Sequence, residues 1–243
     1  MKMKFIRMSL TALLLFSILP TTGNLQAQNQ TPPLRPAILG QPMSDFSLPA
    51  LSGEEFGLSK LKGKNVLLVF PRGKVDSEWC QICHYEYAAL AELEKIQGLR
   101  KKYNVEILFV LPYDKATVQH WVDIVPDQLA VIEGWKNPPE TASAGQKNFA
   151  QTAKRLLPKT FSIQKGNIPT PFPILVDADQ RVSKGLKLFT TNWDGSAADQ
   201  NVPTVFILDG SGTVRFKYLS QNTWDRPTAE YLAMVLDRMM SDK

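Results

Sequence analysis

Two largely apolar runs, separated by a helical pattern, constrain the fold of this chain more than any other feature. The first run, NVLLVF, covers residues 65–70, and the second, VEILFVLP, covers residues 105–112. Apolar runs of this length, without alternating polar residues, are typical of strands that are buried on both faces of a sheet. Between them, from about Ile82 to Tyr103, apolar residues recur every three to four positions, which predicts an amphipathic helix. The order strand, helix, strand favours an α/β fold.

The C-terminal part of the chain continues this alternation. The sequence predicts a strand at residues 172–179, a short helix at 180–188, and a β-hairpin at 201–219 that turns at Asp209–Gly212. A closing amphipathic helix is predicted at residues 226–240. Strands that alternate with helices and end in a hairpin favour a central mixed β-sheet that is flanked by helices and has an antiparallel edge.

Residues of about 114–170 form a predicted helical insertion between strands. They read as two or three short helices, which are broken by KNPPETASAG and by Pro158. Trp121 and Trp135 are candidates for exposed apolar contacts in a substrate groove. The alternative, which the sequence favours, is a satellite core that packs against the sheet.

The N-terminus has the pattern of a secretory signal peptide. A basic start is followed by a short apolar run and a polar exit of small residues, and we place the cleavage site after Ala27. The apolar run is shorter than the about 20 residues that a transmembrane helix needs, although an uncleaved anchor is an alternative. The chain then divides into a signal peptide at 1–27, an N-terminal tail at 28–43 and one domain at 44–243. The signal predicts export to the bacterial periplasm, with no stable membrane insertion after cleavage.

The positive charge of the chain is partly due to this signal. The formal net charge is +5, and removal of Lys2, Lys4 and Arg7 with the signal lowers it to +2. Basic and acidic residues are mixed along the rest of the chain, so we expect no nucleic-acid partner.

The stretch SEWCQICHYE contains both cysteines of the chain, Cys80 and Cys83, together with His84. C-x-x-C at the start of a helix is typical of a thiol–disulfide redox site, whereas C-x-x-C-H is also the attachment sequence of c-type haem. A disulfide between residues this close in sequence would close a very small ring and stabilise little, so a purely structural bridge is disfavoured. A copper or zinc site that includes a histidine is another alternative.

The position at the start of a helix has consequences for the chemistry of the pair. Free N–H groups and the positive end of the helix dipole stabilise a thiolate. We therefore expect Cys80 to be the exposed nucleophile with a lowered pKa, and Cys83 to be the more buried, resolving thiol. Trp79 is expected to shield Cys80. His84 either tunes the pKa of the dithiol or is a solvated polar residue, and Glu86 either lies on the surface or reaches the active-site loop.

The order of these parts resembles the AhpC/TSA (peroxiredoxin-like, redoxin) branch of the thioredoxin-fold superfamily. GQPMSDFSLPALSGEEFGLSKLKGKNVLLVF is similar to the G-x-x-x-x-D-F-x-L stretch and the G-K-x-V-L-L-x-F strand of that branch. WCQICHYE resembles the W-C-x-x-C-x-x-E of periplasmic thioredoxin-like reductases. The resemblance covers most of residues 39–240 apart from the insertion, and it implies a thioredoxin-like fold.

The resemblance also implies a role for Val202 and Pro203. In thioredoxin folds a proline at this position is cis and lies against the active-site disulfide, and the preceding residue offers backbone hydrogen bonds to a bound partner. A trans proline at the start of an edge strand is the alternative.

The peroxiredoxin motif P-x-x-x-T/S-x-x-C is incomplete in this chain. Ser77 supplies S-x-x-C before Cys80, but Gly73 stands where the motif has proline. The peroxide-activating arginine of that family is also missing, because Asn201-Val202-Pro203 stands at its position. The side chains that could replace it in space are Arg72, Lys74 and Arg181.

The leading hypothesis is therefore an exported thiol–disulfide oxidoreductase in which Cys80 attacks and Cys83 resolves. The alternative is a peroxiredoxin-like thiol peroxidase that forms a sulfenic acid, with either Cys80 or Cys83 reacting with peroxide. A remote alternative is a c-type haem protein with His84 as the proximal ligand and His120 or a methionine as the distal one. The first two need no cofactor or metal. Their partners are a protein disulfide or a hydroperoxide, and a reducing protein of the thioredoxin type.

Overall fold

The protein is described by a computed structural model that covers residues 33–241. The predicted signal peptide, its cleavage site and the first part of the predicted tail lie outside the described residues. No helix within 33–241 is both long enough and apolar enough to cross a membrane.

Strands and helices alternate along the described chain. The strands are β1 (Ser47–Pro49), β2 (Glu55–Gly57), β3 (Asn65–Phe70), β4 (Lys74–Val75), β5 (Glu78–Trp79), β6 (Val105–Leu111), β7 (Ile174–Val176), β8 (Phe189–Thr190), β9 (Gln200–Asn201), β10 (Thr204–Leu208) and β11 (Val214–Leu219). The helices are α1 (Gln81–Gln97), α2 (Leu99–Lys102), α3 (Lys115–Asp123), α4 (Val125–Lys136), α5 (Ala144–Leu156), α6 (Arg181–Gly185) and α7 (Ala229–Ser241), and a short 3-10 helix spans Leu58–Leu61.

The central sheet is mixed, as the sequence predicts. Its strand order is β11-β10-β3-β6-β7. The pairs β3–β6 and β6–β7 are parallel, whereas β10 is antiparallel to both β3 and β11. Every residue of β3 and of β6 is buried, which is why neither strand shows polar alternation in the sequence. The hairpin β10–β11 supplies the predicted antiparallel edge.

Two apolar cores lie on opposite faces of this sheet because the side chains of β3 alternate between them. Leu67 and Val69 belong to the larger core, which includes buried residues of α1, α3, α4 and α7. Val66, Leu68 and Phe70 belong to the second core, which includes buried residues of β1 and α6. Helices thus cover both faces of the central strands.

The predicted insertion contains the three helices α3, α4 and α5, and most of its apolar residues serve the larger core. Trp121 has no exposed surface, and its ring lies 5.5 Å from that of Tyr87, so the prediction that Trp121 forms an exposed contact is wrong. Trp135 is half-buried and packs against Phe149 and Trp224. The insertion thus packs against the sheet, as the second alternative expects, but its apolar residues join the larger core and form no separate satellite core among the described residues.

The helix predicted from about Ile82 to Tyr103 is interrupted at Gly98. This residue has a φ of +60°, and its N–H donates to the carbonyl of Glu94 at 2.7 Å. Glycine commonly ends a helix in this left-handed conformation because it has no Cβ to strain. The chain therefore forms α1 and then the short α2.

The described part of the predicted tail contacts the sheet edge. Gly40 donates to the carbonyl of Val214 at 2.8 Å, and Val214 donates to the carbonyl of Gln41 at 3.0 Å. Ala37 and Met43 are buried in the second core. Contacts with the domain thus begin before residue 44.

Candidate active site

Both cysteines lie at the junction between strand β3 and helix α1, as predicted. The chain leaves β3, forms the two-stranded ribbon β4–β5, and returns so that Cys80 caps the N-terminus of α1. The N–H of Cys80 donates to the carbonyl of Gly73 at 2.8 Å, and the N–H of Cys83 donates to the carbonyl of Cys80 at 3.1 Å. These bonds fix the backbone of the C-x-x-C segment.

Both sulfurs are enclosed. Cys80 is 1% exposed and Cys83 is 0% exposed, and both are free thiols. The prediction of an exposed Cys80 is therefore wrong. Trp79 is itself only 8% exposed and packs edge-on against Tyr113, with ring centroids 5.7 Å apart. The shielding role predicted for Trp79 agrees with this position, because Trp79 and both cysteines share one core.

The pKa of Cys80 is lowered to about 6. The main cause is the hydrogen bond from the Cys83 side chain, and the cations of Arg226 and Arg72 and the backbone N–H of Cys83 act in the same direction. Burial opposes them because it disfavours the charged form. The direction agrees with the prediction, but a neighbouring thiol and two arginines contribute beside the helix terminus.

Cys83 is the less acidic partner. Burial raises the pKa of Cys83 well above its ordinary value, and the neighbouring Cys80 raises it further. The backbone N–H of Arg72 donates to Cys83 Sγ at 3.2 Å, and Arg226 Nη2 lies 4.0 Å from the same sulfur. The pair therefore combines one thiol with a lowered pKa and one with a raised pKa.

Glu86 lies one turn beyond Cys83 and is buried, being 7% exposed. Burial raises its pKa to about 8, and Arg226 only partly opposes this effect. Arg226 Nε lies 3.9 Å from Glu86 Oε2. The prediction that Glu86 lies on the surface is therefore wrong.

Sequence reasoning missed Arg226, which is 143 residues from Cys83 and carries no motif.

Arg72 is fully buried, and its guanidinium ties two distant segments to the active-site loop. Nε donates to Gln200 Oε1 at 2.6 Å, Nη1 to Thr223 Oγ1 at 2.5 Å, and Nη2 to the carbonyl of Trp193 at 2.8 Å. The guanidinium also lies over the Trp193 ring, 4.8 Å from its centroid. Each of its three nitrogens thus has a hydrogen-bond acceptor.

The other two suggested replacements for the missing arginine are engaged elsewhere. Lys74 Nζ lies over the ring of Trp79, 5.3 Å from its centroid. Arg181 lies on α6 and donates to the carbonyl of Ser47 at 3.3 Å. Of the three cations proposed from the sequence, Arg72 is the one whose charge lowers the pKa of Cys80.

His84 is fully buried, so the reading of it as a solvated residue is wrong. Its Nδ1 lies 3.0 Å from the carbonyl of Cys80, and its Nε2 lies 3.0 Å from the carbonyl of Trp121. The ring stacks on that of Trp121 at 4.6 Å, and burial lowers the pKa of His84 to about 4. Because both ring nitrogens face backbone carbonyls, this geometry does not present His84 as a haem ligand.

Three other predicted site residues are not arranged as the resemblance implied. The structure has no cis peptide bond within residues 33–241, so the prediction of a cis Pro203 is wrong. The N–H of Val202 donates to the carbonyl of Leu188 at 2.8 Å and is not free for a partner. Ser77 is exposed at the turn between β4 and β5.

In the described part of the chain, no cluster of three or more His, Cys, Asp or Glu side chains could hold a metal ion.

The loop that precedes Cys80 explains one departure from the peroxiredoxin motif. Gly73 has a φ of +82°, which proline cannot adopt because its ring holds φ near −65°. A Cβ at Gly73 would also lie 2.3 Å from Tyr113 Oη. The same hydroxyl accepts from the N–H of Lys74 at 3.0 Å and donates to the carbonyl of Asp199 at 2.8 Å. Glycine at residue 73 thus allows a close contact that organises the loop.

Comparisons with known proteins agree with this architecture. Residues 39–134 match the AhpC/TSA family. This match supports the resemblance to the AhpC/TSA branch of the thioredoxin-fold superfamily. Over 56 residues the chain is 45% identical to Thioredoxin-like protein YneN of Bacillus subtilis (strain 168), an alignment that covers 23% of this chain and 30% of that protein. The chain thus spans under a third of that curated relative.

Solved structures of peroxiredoxins share the fold of this chain. Enterococcus faecalis AhpC aligns with a TM-score of 0.54 and 14% identity, over 84% of this chain and 93% of that one. The reduced 2-Cys peroxiredoxin of Plasmodium vivax aligns with a TM-score of 0.51 and 19% identity, over 85% and 83% of the two chains. Together with the mixed sheet, these likenesses confirm the predicted thioredoxin-like fold.

Gly73→Ala should destabilise the protein more than Gly53→Ala. Both glycines have a positive φ, so alanine costs roughly 1–2 kcal/mol at either position. A Cβ at residue 53 meets no atom within 4 Å, whereas at residue 73 it overlaps Tyr113. We expect the overlap to add about 1–3 kcal/mol. Urea unfolding of the two variants measures the difference, and equal losses would contradict the proposed contact.

Glu86→Gln should stabilise the protein at alkaline pH. The folded-state pKa of Glu86 is raised to about 8, so its contribution to stability is complete below about pH 4.5 and is lost as pH rises through 8. Glutamine has no charge to bury at high pH. We therefore expect Glu86→Gln to raise Tm by several degrees more at pH 9 than at pH 5, since about 1 kcal/mol shifts Tm by roughly 2–4 °C at this size.

Thermal unfolding at the two pH values tests this expectation. Glu140→Gln, at an exposed position, is the matched control and should shift Tm equally at both pH values. A Glu86→Gln shift that does not depend on pH would show that the carboxyl is not held protonated.

Proposed function

We propose that this protein is an exported thiol–disulfide oxidoreductase that uses Cys80 and Cys83. The observation that carries the proposal is the geometry of the pair: Cys80 caps the N-terminus of α1, and Cys83, one turn on, accepts from the N–H of Arg72 at 3.2 Å. This setting lowers the pKa of Cys80 and raises that of Cys83. A disulfide exchanger needs this asymmetry, because one sulfur must attack as a thiolate while the other waits. The signal-like N-terminal sequence supports export.

The reaction follows from the order of the two pKa values. The Cys80 thiolate attacks one sulfur of a partner disulfide, a new S–S bond forms, and the other partner sulfur leaves as a thiolate. Cys83 then loses its proton and attacks the Cys80 sulfur, which forms the Cys80–Cys83 disulfide and releases the second partner thiol. The partner gains two electrons and two protons. A reducing protein of the thioredoxin type returns Cys80 and Cys83 to the dithiol form.

A thiol peroxidase is the second candidate, and the burial of the dithiol favours it. Cys80 is 1% exposed, so the described conformation suits a small oxidant better than a protein disulfide. The Cys80 thiolate would attack the terminal oxygen of a hydroperoxide, give a sulfenic acid, and release an alcohol or water. Cys83 would then attack the sulfenic sulfur and release water. Arg72 and Arg226 would lower the cost of the charge on Cys80.

Single-cysteine variants distinguish the two sulfurs. With hydroxyethyl disulfide at pH 7, Cys83→Ser should accumulate a mixed disulfide on Cys80, because the resolving thiol is missing. Cys80→Ser should react more than about tenfold slower, because little Cys83 thiolate is present. Mass spectrometry of the quenched reactions measures both. Equal rates for the two variants would contradict the assignment of the nucleophile.

Hydrogen peroxide separates the two functions. The reduced protein should oxidise at about the rate of a free thiol if it is a disulfide exchanger, as followed by tryptophan fluorescence because Trp79 lies in the same core. Oxidation faster by orders of magnitude, and abolished by only one cysteine substitution, would instead support the peroxidase and name its reacting sulfur.

A further inference from the structure

We propose that Arg226 supplies the positive charge that stabilises the Cys83 thiolate during the resolving step, and that Glu86 competes with this thiolate for the same guanidinium. The proposal rests on the proposed dithiol function, and it assigns to Arg226 an electrostatic role at the resolving thiol, Cys83.

The guanidinium of Arg226 lies between the two groups. Its Nη2 is 4.0 Å from Cys83 Sγ, and its Nε is 3.9 Å from Glu86 Oε2. The side chains of Arg226 and Glu86 are 7% and 6% exposed, so water screens this charge poorly. A cation at this distance from a buried sulfur favours the thiolate form.

The backbone before α7 holds the guanidinium in this position. Arg226 Nη1 donates to the carbonyls of Asn222 at 3.2 Å and Asp225 at 2.8 Å. The carboxylate of Asp225 in turn accepts from the N–H of Gln221 at 2.7 Å and from the hydroxyl of Tyr218. One edge of the fork is thus anchored, and Nε and Nη2 are directed to Glu86 and Cys83.

The hydrogen bonds of Arg226 differ from those of Arg72, because one side-chain nitrogen of Arg226 has no acceptor in the described part of the chain. Every side-chain nitrogen of Arg72 has an acceptor. In contrast, Arg226 Nε and Glu86 Oε1 have no hydrogen-bond partner among residues 33–241. A buried donor and a buried acceptor without partners each cost free energy, so their presence calls for an explanation such as a functional role. Arg226 therefore keeps capacity for a charge that appears during the reaction.

In the proposed resolving step, Cys83 is the one neighbour of Arg226 that must become an anion. The charged or titratable groups near Cys83 are Cys80, Glu86, Arg72, Tyr113 and Arg226. Once Cys80 is bound in a mixed disulfide it carries no charge. Cys83 then loses its proton, attacks Cys80 and expels the partner thiolate, which takes up one proton. Arg226 stabilises the transient Cys83 thiolate, and a charged Glu86 would draw the guanidinium away.

The ionisation of Cys83 tests the proposal without any redox partner. In the Cys80→Ser background Cys83 is the sole thiol, and the pH dependence of its alkylation by iodoacetamide, followed by mass spectrometry, reports its pKa. Arg226→Gln should raise the midpoint by about one pH unit or more, a tenfold loss of thiolate at a given pH. Glu86→Gln should lower it, because the competing anion is gone. Arg215→Gln, an exposed arginine paired with Asp209, is the matched control.

The opposite directions of the two shifts separate the proposal from a loss of structure. If Arg226→Gln fails to fold by near-UV circular dichroism, the lowered midpoint of Glu86→Gln still tests the competition. A midpoint for Arg226→Gln equal to that of Arg215→Gln, or an unchanged midpoint for Glu86→Gln, would overturn the proposal. Failure of the intact dithiol to reduce disulfides, with both shifts present, would reject the proposed function and leave the assignment of Arg226 in place.

Discussion

The burial of a sulfur that must carry charge is the constraint on which the rest of the site depends. A thiolate inside an apolar core is stable only if donors and cations replace the water that it has lost. Here the neighbouring thiol, a helix N–H and two arginines do so for Cys80. The same burial keeps Cys83 protonated, so one enclosed environment produces two thiols of different acidity.

The groups that meet this requirement come from three separate parts of the chain. The loop after β3 supplies the N–H and guanidinium of Arg72, α1 and its N-cap supply both cysteines and Glu86, and the turn before α7 supplies Arg226. The guanidinium of Arg72 also holds the segments around Trp193 and Thr223 against the loop. The site therefore forms only when segments that are distant in sequence make these contacts.

Local signals in the sequence were enough for the fold and for the place of the dithiol. The run at 65–70 predicts β3, because a strand that is buried on both faces has apolar side chains at consecutive positions, here from Val66 to Phe70. The exposure of Cys80, the solvation of His84 and the isomer of Pro203 could not be read in this way. Each depends on what packs against the residue, and the packing partners come from other segments. Arg226 is the clearest case, because nothing near it in sequence marks it as part of the site.

The tautomer of His84 affects the electrostatic field at the N-terminus of α1. A neutral imidazole has a single N–H, yet its two ring nitrogens face the carbonyls of Cys80 and Trp121, both at 3.0 Å. Only one carbonyl can accept that proton at a time, and the other faces a lone pair. The two tautomers of His84 thus polarise the carbonyl of Cys80 differently while the ring stays uncharged. A change of tautomer at His84 would therefore alter the dipole beside the dithiol without adding a charge.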